Sequence, residues 1–341
     1  MHRPAIERVI KAIETVKVGK MVILIDDEDR ENEGDLMYAG ALSTPELMNF
    51  MIKEARGLVC AALDRAIAER LNLAPMVSKN TSAHETAFTI SVDAKSASTG
   101  ISAYERHDTI ALLADPLSSS DDLVSPGHIF PLIAKDGGVL VRAGQTEGSV
   151  DLCRLAGLAS CGVICEILKE DGSMARRPDL DEFSTRNNIP IVYIADLIEY
   201  RLERESLVSR RQIEVKELFG ASVTISEWVD HLGRVHNAAV FGEIGEECAV
   251  KFHLIGSDAA LILDDRRFSG LLKAIEYLKQ NGGALLLLES NARSAKKEFG
   301  IGAQILTRLG VKRLTLLATQ EFDEPTALAG FGLELKNTLL P

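Results

Sequence analysis

The stretch MVILIDDEDRENEGDLMYAG, residues 21–40, decides how the chain is read. Its first residues, Met21 to Ile25, form a short apolar run that ends abruptly in polar residues, the pattern of a buried strand. Asp26, Asp27, Glu28, Asp29, Glu31, Glu33 and Asp35 then crowd into ten residues, with only Arg30 to offset them. Carboxylates this dense repel one another and are comfortable in two settings, a solvated face or the surroundings of a cation. The cluster stands at the end of a strand, where α/β folds place their sites, and Gly34 lets the backbone approach a ligand closely.

Working outward, the 341 residues suggest two domains, each long enough to bury a core. A hydrophobic fraction of 46% with 26% charged residues is that of an ordinary globular protein. The net charge of −12 argues against nucleic acid or an anionic membrane as the main partner. A phosphorylated substrate stays open, because a local arginine or metal can reverse the field. No apolar run approaches the ~20 residues of a membrane helix, and no signal-peptide core is read, so a cytoplasmic location is expected. Cys60, Cys153, Cys161, Cys165 and Cys248 form no CxxC pair and read as reduced, buried thiols.

Helical spacing of Ile6, Val9, Ile10, Ile13 and Val16 predicts a first helix, closed by Gly19. A second opens at Thr44–Pro45–Glu46. GLVCAAL (57–63), AFTISV (87–92), GHIFPLIA, GGVLVR, CGVICEIL and PIVYIA read as strands, with helices near 105–115, after Gln145–Thr146, and from Pro178 to Asn188. The expectation is an α/β protein: an α+β domain with a mixed sheet over residues 1–205, a linker at 206–212, and a second α/β domain over 213–341. In that second part strands are expected near 222–229, 234–241 and 247–255, then a helix from Arg267 to Gln280. GGALLLLES and VKRLTLLA follow as strands around the helix FGIGAQILTRLG.

Three further places carry chemistry. His128 follows Pro126–Gly127 at the mouth of a strand, where it is either structural or a proton carrier. Glu166 lies inside CGVICEIL, an expensive place for a carboxylate unless it faces a polar site, and there it would be suited to shuttle protons. Arg142–Ala143–Gly144–Gln145–Thr146 precedes a helix with Thr146 as candidate N-cap, and its free N–H groups, arginine and glycine make a phosphate seat or a plain capped start.

DDEDRENEGD, NTSAHETAFT with STGISAYER, SPGHIFPL, GGVLVRAGQTE and GVICEILKEDGSMAR, in that order, resemble the 3,4-dihydroxy-2-butanone 4-phosphate synthase family over essentially the whole first domain. The resemblance implies an enzyme dependent on Mg²⁺, or Mn²⁺, that converts D-ribulose 5-phosphate to 3,4-dihydroxy-2-butanone 4-phosphate and formate. It also implies a homodimer with sites at the subunit interface. It makes Glu31 the metal-binding carboxylate, His128 and Glu166 the essential catalytic residues, and Arg30 and Asp35 substrate contacts. Asp26, Glu33, Cys60, Thr99, Arg142, Gly144, Thr146 and Glu147 fall at further site positions. The family pattern G-His-T-E reads here Gly144–Gln145–Thr146–Glu147, so Gln145 stands where a histidine is the second metal ligand. A glutamine oxygen can coordinate Mg²⁺, but it is neutral and differently shaped.

From about residue 213 the chain resembles GTP cyclohydrolase II in GRVHNAAVFGE, FGIGAQILTRLGVKRLTLLAT and LAGFGLELKN. The family's catalytic zinc needs three cysteines in a run like C-x₁₀-C-x-C, and this part contains only Cys248. LLLLESNARSA replaces the nucleotide-binding run, and Ala295 and Lys297 stand where an aspartate and an arginine are expected. His231, His236 and His253 lack ligand spacing. The expectation is a folded second domain without zinc or cyclohydrolase activity beside an active synthase. The other readings are a pathway scaffold that has lost catalysis, favoured by Gln145, and a working bifunctional enzyme.

Overall fold

The computed structural model describes residues 4–84, 86–205, 207–289, 295–318 and 333–339, and contacts divide the chain into Met1–Tyr200 and Arg201–Pro341. In the first unit α1 (Pro4–Lys17) leads into β1 (Val22–Ile25), a run buried at all four positions. The chain reverses through the acidic loop into β2 (Gly34–Ala39), antiparallel to β1 with Ile25 opposite Gly34. There follow α2 (Pro45–Glu54), β3 (Cys60–Leu63), α3 (Arg65–Arg70), β4 (Val92–Ala94), α4 (Ala103–Ala114) and β5 (Leu123–Ile133). The series closes with α5 (Gln145–Leu155), β6 (Cys161–Glu166), α6 (Arg177–Asn187), β7 (Ile191–Tyr193) and α7 (Ile194–Arg204).

These strands make one mixed sheet in the order β4-β5-β3-β6-β2-β1-β7. Alternation sends Ile23, Leu36, Tyr38, Ala61 and Val163 to one face, against α2, α4 and α6. Leu24, Met37, Cys60, Ala62 and Ile164 go to the other, against α1, α5 and α7. Both faces are therefore covered, which is why β1 reads as a continuous apolar run rather than an alternating one. Emptying such a position, as in Leu24→Ala, costs about 2–5 kcal/mol.

Several expected elements differ. AFTISV is not a strand: only Val92 enters β4, while Phe88 and Thr89 make isolated bridges to Leu132 and Pro75. GGVLVR is not one either. Gly137 (φ 92°) and Gly138 (φ 61°) turn the chain twice into the left-handed region, and a 3₁₀ turn follows. That turn is pinned by the Asp151 carboxylate, which accepts the Val139 N–H at 2.9 Å and leaves no room for a side chain at 138. Of GLVCAAL only Cys60–Leu63 is strand.

The expected linker at 206–212 is, from Val208 on, the start of β8 (Val208–Leu218), a strand whose outward residues are charged and therefore read as connector. The second unit continues with β9 (Ala221–Asp230), β10 (Val235–Phe241), β11 (Glu247–Ile255), α8 (Asp258–Ile262), α9 (Asp265–Asn281) and β12 (Gly283–Glu289). It ends with α10 (Ala295–Arg308), β13 (Arg313–Leu317) and β14 (Glu334–Leu339). Its sheet runs β14-β13-β11-β12-β10-β9-β8, parallel from β14 to β12 and antiparallel beyond. The chain is thus a mixed α/β protein with two mixed sheets.

Candidate active site

The acidic loop sorts its charges. Asp27, Glu28 and Asp29 are exposed, as a solvated face requires. Asp26 turns inward and organises the loop by accepting the N–H groups of Glu31 at 3.0 Å and Glu33 at 2.8 Å, and Arg30 Nη1 at 2.7 Å. Arg176 ties the loop from outside by donating to the carbonyls of Glu31 (2.8 Å) and Asn32. Glu31, Glu33 and Asp35 are thereby held on the inner side of the hairpin.

The sheet lines up the next groups. Asp35 on β2 lies directly opposite Glu166 on β6. Glu166 Oε2 accepts the Leu58 N–H at 2.8 Å, and a Cβ at Gly57 would fall 2.5 Å from that oxygen, so this residue has to be glycine. Cys60 on β3 pairs with Ile164 and with Phe130 of β5. Asp35 and Glu166 are thus cross-strand neighbours, and Glu166 reaches back to the Leu58 N–H just ahead of β3. Burial, then the charges of Glu166, Glu31, Glu33 and Asp26, push the Asp35 carboxyl well above its ordinary range. Burial and Glu31 push Glu33 up as well. The Cys60 thiol is likewise raised by burial and then by Glu166, so it is a neutral packing group.

The start of α5 faces the hairpin. Gly144, not Thr146, holds the N-cap position, and Thr146 is buried one residue inside the helix. A Cβ at Gly144 would meet Arg142 Nη1 at 2.5 Å and Arg30 Nη2 at 3.0 Å, so two guanidiniums lie against this helix end. Arg142 is fixed by Glu147 Oε2 (2.6 Å) and by the His84 carbonyl, to which Nε and Nη2 donate at 3.2 and 3.1 Å. Glu147 is buried and also accepts the Lys135 N–H at 3.0 Å. Arg30 Nη1 donates to Gln145 Oε1 at 2.9 Å while Nη2 sits 2.9 Å from Glu31 Oε1. One guanidinium therefore spans Asp26, Glu31 and Gln145.

His128 has partners that sequence reasoning missed. Its N–H donates to Asp93 Oδ1 at 2.8 Å and its Nδ1 lies 2.7 Å from Asp93 Oδ2. A carboxylate there favours the proton on Nδ1 and leaves Nε2 as the open ring nitrogen. Glu105 accepts from the N–H and hydroxyl of both Ser98 and Thr99, and from Ser102 Oγ, which holds its carboxyl far below the usual range. Thr99 is thus committed to Glu105. The turn it belongs to closes on the dyad at Gly100 (φ +79°), where a Cβ would fall 2.0 Å from Asp93 Oδ2. One signal was legible: Asp93 is a lone charge between the apolar Val92 and Ala94. A cavity of about 320 Å³ lies on the outer side of the hairpin, against Asp26, Asp27, Asn32, Arg177 and Tyr193, and touches none of His128, Glu166 or Gln145.

In the second unit Cys248 is buried, its thiol pushed up to about 11 by burial. His236 is fully buried, with Nε2 3.2 Å from Asp230 Oδ2 and Nδ1 accepting the Glu289 N–H, so it is a core residue. Burial lowers the pKa of both His231 and His253. The side chains of Ala295 and Lys297, most of SNARSA, and LAGFG lie outside the described residues.

Residues 10–200 match the family model of 3,4-dihydroxy-2-butanone 4-phosphate synthase. The chain belongs to that family. Residues 210–339 match the family model of GTP cyclohydrolase II. Proteins named 3,4-dihydroxy-2-butanone 4-phosphate synthase from Sulfurospirillum multivorans and Helicobacter pylori are 51% and 50% identical, over 97% and 98% of this chain and 94% and 99% of their own. A riboflavin biosynthesis protein RibBA from Bacillus cereus is 42% identical over 96% of this chain and 91% of its own. Among solved structures, RibBX from A. baumannii, described as a two-domain 3,4-dihydroxy-2-butanone 4-phosphate synthase, superposes with a TM-score of 0.85 at 38% identity, covering 98% of this chain and all of that one. A synthase in complex with two magnesium ions covers 57% of this chain and 97% of its own, with a TM-score of 0.56 and 37% identity.

Proposed function

We propose that the first unit is a divalent-cation-dependent synthase that converts D-ribulose 5-phosphate to 3,4-dihydroxy-2-butanone 4-phosphate and formate for riboflavin biosynthesis. The observation that carries this is the cross-strand carboxyl pair Asp35 and Glu166 and the His128–Asp93 dyad, together with two arginines at a helix N-terminus. Family membership supports the same reading.

The residues present suit Mg²⁺ or Mn²⁺. Glu31, Glu33, Asp35 and Glu166 are all oxygen donors, and Glu33 and Asp35, raised first by burial and then by neighbouring carboxylates, would gain from a cation nearby. Glu31 is the carboxylate to hold it. When bound, the ion supplies positive charge to the sugar oxygens that become anionic as protons leave. The protein's own groups do the rest. Arg30, Arg142 and the N–H groups opening α5 hold the phosphate. His128 Nε2 takes a proton from the sugar, and Asp93 stabilises the imidazolium that results. Glu166, half-buried and anchored by the Leu58 N–H, is the second proton carrier. Asp35 contacts a sugar hydroxyl, while Gly144 and Thr146 shape the seat. The enzyme acts as a homodimer.

The second unit is proposed to be folded and without cyclohydrolase activity, because its one cysteine is a buried neutral thiol and no thiolate set is available for zinc. Formate release from ribulose 5-phosphate is the test. Turnover with Mg²⁺ that disappears in EDTA is expected, with no formate from GTP; no turnover with either cation supports the scaffold reading instead.

A further inference from the structure

Gln145 departs from the role its position suggests. Its side chain is buried, and an arginine can only donate, so the amide atom 2.9 Å from Arg30 Nη1 is the oxygen. That oxygen is the one atom of the amide able to coordinate a cation, and one of its two lone pairs is taken by a cationic donor. The guanidinium bound to it also reaches Asp26 at 2.7 Å and Glu31 at 2.9 Å, so a fixed positive charge lies between Glu31 and the start of α5. The other end of the amide is Nε2, a buried donor with no hydrogen-bond partner. A buried amide N–H without an acceptor costs about 1–3 kcal/mol and marks a place where an acceptor belongs. Around the same helix end the space kept free at Gly144 brings Arg30 and Arg142 together. The two guanidiniums and the amide nitrogen are all donors at this helix end, and the amide nitrogen has no acceptor.

We propose that Gln145 is an arginine anchor and a substrate donor rather than a metal ligand: its oxygen fixes Arg30 between Glu31 and α5, and its Nε2 donates to an oxygen of the sugar phosphate. This rests on the synthase reading of the site and deepens it. The divalent cation is then held from the hairpin side alone, and the helix side recognises the anionic substrate directly. Binding of that substrate accordingly does not require the cation.

Gln145→Met, which keeps the volume and removes both amide atoms, separates the two roles, with circular dichroism to check folding. Binding of ribulose 5-phosphate in EDTA, by calorimetry, is expected to weaken about tenfold. Mn²⁺ affinity, by electron paramagnetic resonance without substrate, is expected to stay within about twofold. Unchanged sugar-phosphate binding, or a tenfold loss of Mn²⁺ affinity, overturns the proposal. Glu31→Gln tests the underlying cation site separately. If it leaves Mn²⁺ binding intact, the assignment of Glu31 fails, while the role of Gln145 is still decided by the EDTA measurement.

Discussion

Both units bury charge at their sheets, but in different company. In the first, Asp35 and Glu33 are carboxylates raised by burial and then by neighbouring carboxylates, in a unit that also holds two arginines at a helix N-terminus and a histidine–aspartate dyad. In the second, Lys251 on β11 is only 5% exposed, and burial followed by the charge of Arg267 lowers its pKa to about 8. His253, two residues along on the same face, is lowered by burial, Arg267 and Lys251. A buried charge costs stability in either setting. Under the proposed function the first unit uses its buried charge for binding and proton transfer. Apolar alternation is enough to keep a fold, whereas chemistry needs a few particular polar residues, and the second unit packs Val223, Phe241, Leu278 and Leu285 into a core with one cysteine in its sequence.

The comparison breaks most severely at the dyad. Asp93→Asn should lower turnover by about 10²-fold while leaving the melting temperature nearly unchanged, because the amide no longer fixes the His128 tautomer or stabilises its cation. Steady-state formate release against pH checks this, and a variant with native turnover would make Asp93 merely structural.

The next effect is on stability. A carboxyl whose folded pKa is raised contributes stability that is complete below its unfolded value, near 4, and is lost as pH rises toward the folded value. Calorimetry of the metal-free protein should therefore show the first unit melting at a lower temperature at pH 8 than at pH 5. Asp35→Asn should flatten that slope. Lys251 has the opposite sign. Its folded pKa is depressed, so its penalty is full below about 8 and is relieved as pH rises toward its unfolded value. Lys251→Met should raise the melting temperature of the second unit at pH 7 by about 3 °C, the smallest of these effects.

Much of the fold was legible. The β1 run, the hairpin, α1, α2 and most of the second unit follow from periodicity, because burial on one face or two leaves a direct trace in the sequence. The elements that went astray did so for local reasons. GGVLVR has strand composition, but Gly137, Gly138 and the buried Asp151 impose a turn. Charged Ser209–Gln212 looked like a connector because β8 is exposed along most of its length. At the site, residue identities were readable from motifs, but partnerships were not. Asp93 and Glu105 support His128 and Thr99 through long-range hydrogen bonds, Arg176 reaches Glu31 across 145 positions, and the Gln145 oxygen is spent on Arg30.

The most direct test of the central claim is to incubate ribulose 5-phosphate with the protein and Mg²⁺ in D₂O and follow the products by proton NMR, beside Glu166→Gln. The account predicts equimolar formate and 3,4-dihydroxy-2-butanone 4-phosphate, with at least a 10²-fold loss in the variant. Unchanged product formation by Glu166→Gln would contradict it.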